Sequence, residues 1–264
     1  GIYFPYATNF EMIHSNNTVN GKTLFFMKNR DMKNSTLSII PGQIILHHVK
    51  NLTIDSLDLS EGYIPIQTFH TSNISILNTT ISKSLTGLSL EYSDAVIIEN
   101  CSILNCGKGI NINGCTDFTF KDSSISENIG WTDYSIYSGS IFNEGTGIYN
   151  RYATGGCISN CTFENNPIGI YSEGSSMTIR DCFLRNGSTG IEISYPNFNE
   201  RIFNNTIIAM KDSGVMFKGQ GVSIRHNKLY GCSFKILFAN KVYQPGLSQT
   251  NTVNDLPIMV RYKS

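Results

Sequence analysis

The chain has 264 residues, and its 20 basic and 20 acidic side chains are spread along its length. That balance excludes the basic stripe of a nucleic-acid binder, and without a run of about 18 apolar residues no membrane-spanning helix is expected. Only 15% of residues are charged, while 28 asparagines and 23 glycines give a neutral-polar surface common in repetitive β-folds.

The chain opens on an apolar GIYF and then NTVNGKTLFF (17–26), and it closes on KILF and then NTVNDLPIMV (251–260). Ile2 stands 15 residues before Asn17, and Ile236 stands 15 before Asn251, so start and end read as one point of a long repeat shifted by 234 residues. Residues 17–250 are therefore read as one full unit, with 251–264 as the start of another or an end cap. A Gly1 start fits either a mature chain or an excised piece, and no signal peptide is read there.

Between these ends a shorter period appears. NTTISKSLTGL (78–88), NCSILNCGKGI (100–110), NCTFENNPIGI (160–170) and DCFLRNGSTGI (181–191) each place a glycine eight residues after their second position. Extended along the chain, the anchors are Leu57, Thr79, Cys101, Ser123, Cys161, Cys182, Asn205 and Asn227, with gaps of 22, 22, 22, 38, 21, 23 and 22. Apolar residues alternate on both sides of the anchor, which is strand periodicity, and helical periodicity is absent. A unit of about 22 residues with short strands and no helix cannot close its own core, but it can coil so that each turn stacks on the last. The prediction is a single-domain, all-β, right-handed parallel β-helix of about ten coils, interrupted by one inserted loop over 126–147.

The residues before the anchors (Ser56, Asn78, Asn100, Asp122, Asn160, Asp181, Asn204 and His226) should form a corner column, where Asn and Asp tolerate left-handed backbone. The seven cysteines are odd in number and lack a CxxC pair. Cys161 and Cys182 should stack as buried free thiols, and no zinc site is expected at Cys101, Cys106 and Cys115.

The stretch NTVNGKTLFFMKN…PGQIILHHVKNLTIDSLDLSEGYIPIQTFHTSNISILNTTIS (17–82) resembles the NosD-like right-handed β-helix family. The resemblance implies an exported protein, extracellular, at the cell surface or periplasmic. That family includes many archaeal surface proteins and a periplasmic protein tied to copper delivery for nitrous-oxide reductase. The resemblance implies a fold and a compartment, and it supplies no active site.

Chemistry on such a coil belongs on an outer stripe or an inserted loop. The strand after each Gly-Ile should point Tyr149, Arg151, Tyr171, Glu173 and Glu192 outward, with Tyr149 on Tyr171 and Arg151 on Glu173. The loop adds Trp131, Tyr134 and Tyr137. Aromatic rings beside an arginine suit a polysaccharide or cell-envelope glycan, whereas cross-strand pairing alone also explains the residues. A catalytic version would use Glu173, Glu192 and Arg151 in a hydrolase, lyase or epimerase, although the motifs associated with such enzymes are missing. His48 and His70, 22 residues apart with His47 alongside, would stack and offer a metal site. No cofactor is expected. The function read from the sequence is a structural β-solenoid module with a carbohydrate-binding surface and end-to-end self-association, with an enzyme or a copper-handling protein as alternatives.

Overall fold

The computed structural model describes residues 17–37, 39–130, 145–195, 199–219, 221–237 and 246–258. All regular structure among them is β. Each coil contributes up to three short strands, so the solenoid has three faces. Face one runs from Ile66–Phe69 to Phe234–Leu237, face two from Ser72–Leu77 to Gly246–Leu247, and face three from Asp58–Ser60 to Thr252–Val253. Below them, Lys22–Thr36 and Gln43–Asp55 each continue from face one into face two and pair in parallel.

The 22-residue period is the register itself. Ile66 pairs with Leu88, Leu88 with Ile110, Ile110 with Ile148 and Ile148 with Ile170. These side chains form one inward column, all fully buried, and each buried aliphatic side chain contributes about 1.5–3 kcal/mol of hydrophobic stabilisation. Face three stacks nine parallel strands and closes on Leu256–Pro257, which pairs antiparallel. With Lys22–Thr36 and Gln43–Asp55 counted, faces one and two each stack ten parallel strands and face three nine, in line with the expected number of about ten coils; Thr18–Val19 pairs antiparallel with Lys22 and Thr23.

The repeated NTVN now has a physical meaning. In both copies the chain reverses through two residues of left-handed backbone, Asn20–Gly21 and Asn254–Asp255, the signature of a tight hairpin turn. The Leu24 N–H donates to Asn17 O, as the Ile258 N–H donates to Asn251 O.

The corner column has the expected conformation. Ser56, Asn78, Asn100, Asp122, Asn160, Asp181, Asn204 and His226 all have φ between 48° and 58°. The next residue turns inward and bonds back to the carbonyl two positions earlier: Thr79 to Leu77 O, Ser123 to Lys121 O, Cys101 to Glu99 O, Cys182 to Arg180 O. Cysteine here takes the place of Ser or Thr, and all seven are free thiols, which removes any meaning from their odd number.

The glycine eight residues after the anchor is set by close approach. A Cβ on Gly169 would stand 2.6 Å from Gly190 O and 2.9 Å from Leu184 Cδ2, and the same clash recurs from Gly87 against Gly109 O at 2.7 Å. Gly169→Ala should therefore cost about 2 kcal/mol or more through overpacking. Chemical denaturation that shows no loss would mean the coils can part at no cost.

Candidate functional site

Two neighbouring columns on face one alternate with the inward column of Ile and Leu, half-buried in the middle and buried towards both ends, at Gln67, Phe69 and Ser89 and at Glu192 and Ser194. The first carries Gln67, Ser89, Asn111, Tyr149, Tyr171 and Glu192, and the second carries Phe69, Glu91, Asn113, Arg151, Glu173 and Ser194. The sequence reading placed these residues in this order. Tyr149 and Tyr171 stack with centroids 5.0 Å apart and planes within 5°. Lys108 Nζ sits 4.1 Å from the Tyr149 centroid, and burial, then nearby Arg151, lowers its pKa to about 8. Arg151 Nε and Glu173 Oε2 are 3.0 Å apart, and the Tyr171 hydroxyl donates to the same carboxylate oxygen at 3.3 Å.

Glu192 lies opposite Tyr171. It is buried and receives the Lys218 ammonium at 2.6 Å. Both candidate carboxylates are thus held by cations. The face-one carboxyl with a strongly shifted pKa is a different one, Glu91, which burial pushes up to about 7. Glu91 stands three coils from Glu173, about 14 Å at the usual strand spacing, beyond the separation of about 6.5–9.5 Å that an inverting pair needs. Of the expected binding residues, Trp131, Tyr134 and Tyr137 lie outside the described residues.

At the corner between faces one and two a further column of left-handed backbone runs His48, His70, Tyr92, Gly114, Tyr152, Gly174, Tyr195 and Gly219. His48 and His70 stack at 5.1 Å and 10°, and Tyr92 follows His70 at 5.3 Å and 14°. His47 meets His48 edge-on at 4.3 Å, and burial lowers its pKa to about 4. Parallel imidazoles aim their in-plane lone pairs side by side rather than at one point, so the stack does not suit one shared ion. No group of three or more His, Cys, Asp or Glu is placed to hold a metal among the described residues. Neither thiolate nor thioether, the softer donors copper(I) prefers, belongs to the stack.

Sequence reasoning stopped at His70 and Tyr92 and missed the continuation of this column. Its signal was available: His48, His70, Tyr92, Gly114 and Tyr152 all precede their anchors by nine residues.

Comparison with known proteins agrees with the architecture. A family profile described as the right-handed β-helix region matches residues 1–142, and one described as periplasmic copper-binding protein NosD matches residues 129–254. The NosD match therefore lies entirely beyond the stretch (17–82) that carried the resemblance in the sequence. No curated protein matches the chain by sequence. An alginate lyase structure from Paenibacillus sp. str. FPU-7 superposes with a TM-score of 0.60 at 12% identity, over 88% of this chain and 96% of that one. The Agl-KA catalytic domain superposes with a TM-score of 0.50 at 9% identity, over 88% of this chain and 62% of that one. At such identities the likeness concerns the fold.

Proposed function

Because the chain belongs to the right-handed β-helix family, we propose that it is a rigid structural module of the cell exterior or periplasm whose face one binds a polysaccharide or cell-envelope glycan. The carrying observation is the Tyr149–Tyr171 stack set directly beside the Arg151–Glu173 pair. The stacked rings cover each other's faces and Lys108 lies over Tyr149, so ring edges and hydroxyls, with a fixed guanidinium–carboxylate pair, supply the apolar and polar contacts for a sugar. Glu192 borders this patch, and Trp131, Tyr134 and Tyr137 would extend it from the inserted segment. The alginate lyase that shares the fold, a polysaccharide-acting enzyme by name, supports the substrate class by analogy. The NosD match supports the compartment.

Tyr171→Ala and Trp131→Ala should each weaken retention on immobilised polysaccharide about tenfold, a loss of about 1.4 kcal/mol. Unchanged retention in both, with wild-type melting, contradicts the assignment to this face.

The rival reading is a polysaccharide-degrading or -modifying enzyme that uses Glu173, Glu192 and Arg151. The cation engaged by each carboxylate argues for a binding role. Glu173→Gln separates the two readings: loss of turnover with retained binding identifies the enzyme. End-to-end self-association forms part of the proposal. It is supported by the matching hairpins at Asn17 and Asn251, and a monomer mass in light scattering at high concentration would contradict it.

A further inference from the structure

The corner column changes character along the solenoid. From His48 to Tyr92 every coil carries a ring, and the rings stack. Beyond Tyr92 the rings alternate with glycine: Gly114, Tyr152, Gly174, Tyr195, Gly219. Backbone bonds keep the column in register. The Tyr92 N–H donates to Asn113 O, the Gly114 N–H to Arg151 O, the Tyr152 N–H to Glu173 O and the Gly174 N–H to Ser194 O.

Tyr92 and Tyr152 each lean over the glycine of the following coil. A Cβ on Gly114 would stand 2.8 Å from Tyr92 Cδ1, and one on Gly174 would stand 2.7 Å from Tyr152 Cδ1. Glycine therefore supports the ring from beneath and adds nothing that would cover it. The three tyrosines remain 55%, 54% and 70% exposed in chain order, Tyr92 even though one of its faces lies on His70. Large aromatic side chains presented this way, at a regular interval along one line, are unusual for a surface that only faces water.

The interval is two coils, about 9.6 Å at the usual strand spacing, which matches the length of a disaccharide in an extended sugar chain. Among the described residues the charges beside Tyr152 and Tyr195 are matched, while Glu91, directly before Tyr92, has no cation and burial raises its pKa to about 7. Arg151 is paired with Glu173 and Lys218 with Glu192, while Asp94 accepts from the Thr116 hydroxyl at 2.5 Å. An anionic polymer would find the nearby cations Arg151 and Lys218 already engaged and would meet Glu91 beside Tyr92, whereas a neutral one would find rings and hydrogen-bonding rims. Arg151 also steadies the track, since its Nη2 donates to the Tyr152 hydroxyl at 3.3 Å and its guanidinium lies 5.1 Å from that ring's centroid.

We propose that Tyr92, Tyr152 and Tyr195 form a track for an extended neutral polysaccharide running parallel to the solenoid axis, with alternate sugars against successive tyrosines. This deepens the glycan-binding reading and rests on it. It also names a second surface, around the corner from the Tyr149–Tyr171 stack.

The test uses the full chain with cello-, manno-, xylo- and chito-hexaose, and with polygalacturonate as the acidic comparison, by isothermal titration. Wild type should bind at least one neutral hexasaccharide more tightly than it binds polygalacturonate. Tyr152→Ala should weaken that binding about tenfold, and the triple alanine variant should abolish it. Tyr152→Phe should keep most of the affinity, because the exposed part of the aromatic ring rather than the hydroxyl makes the contact. Thermal melts identical to wild type show that the alanine variants are folded, as expected for rings this exposed. Full affinity in Tyr152→Ala and in the triple variant, with loss in Tyr171→Ala, overturns the track and leaves the face-one assignment standing. Preference for polygalacturonate overturns the neutral-polymer assignment. No binding by wild type to any of the five probes overturns both the track and the reading it rests on.

Discussion

Glu200→Gln should flatten the pH dependence of stability and leave the protein more stable than wild type above pH 8. Glu200 is fully buried, and it pairs in register with the inward-facing Val222. Its carboxyl accepts from the Ser172 hydroxyl at 2.6 Å, and Ser172 in turn accepts from Asn150 Nδ2 at 3.3 Å. No cation reaches it among the described residues. Burial raises its pKa from 4.5 to about 8, with the Ser172 bond opposing the rise.

Between those two values the folded chain holds a proton that the unfolded chain releases, so stability falls as pH rises through this window and levels off above it. A shift of this size corresponds to on the order of 5 kcal/mol. Glutamine keeps the shape and cannot ionise. Below pH 4.5 the two proteins should therefore unfold at nearly the same denaturant concentration, and above pH 8 they should differ by most of that energy. Glu91, pushed up to about 7, contributes with the same sign in both proteins and cancels in the comparison. Parallel pH curves for wild type and variant would show that Glu200 is already ionised in the core.

The second large effect belongs to the asparagine ladder. Asn227 Oδ1 accepts from the backbone N–H and the side-chain amide of Asn205, at 3.0 and 2.9 Å. Its own amide donates to Ile202 O, Arg225 O and Asn251 Oδ1. Its backbone N–H is taken by Asn251 Oδ1 at 2.9 Å. All three asparagines are fully buried.

Truncation to alanine leaves several buried donors and acceptors without partners, each at about 1–3 kcal/mol. Asn227→Ala should therefore cost on the order of 4 kcal/mol, since members of such a network act together. In a solenoid each coil touches only its neighbours, so the damage should stay local. Hydrogen exchange should rise over 200–258 and remain slow over 58–126. Uniform loss of protection would mean that the coils unfold as one unit, and unchanged protection would mean that the ladder contributes little.

Much of the fold was legible because one register governs the chain. The constant eight-residue offset from anchor to glycine reflects a close approach of backbone to backbone, as at Gly169 and Gly190. The Asn/Asp column reflects left-handed corners. The NTVN echo marks two matching hairpin turns, a local geometry that four repeated letters do not announce. Asn251 also proved to be the last rung of the buried ladder, which the anchor spacing hid because the last gap is 24 residues.

The candidate site was legible in its cross-strand pairs, since stacking in register follows from spacing alone. It was not legible in its electrostatics. Nothing in the residues around Glu192 announces Lys218, 26 positions away, and nothing in the spacing reveals that Glu200 turns into the core. The His48–His70 stack was foreseen, but ring orientation, which decides whether two imidazoles can share an ion, is set by side-chain torsions that a repeat pattern does not carry.

Titrating the full chain with a neutral hexasaccharide and measuring the chain length of the recovered sugar decides whether this solenoid holds sugar without cutting it. Saturable binding with the hexasaccharide recovered intact is expected of a binding surface. Recovery of shorter products would make the protein an enzyme and overturn the binding-only reading.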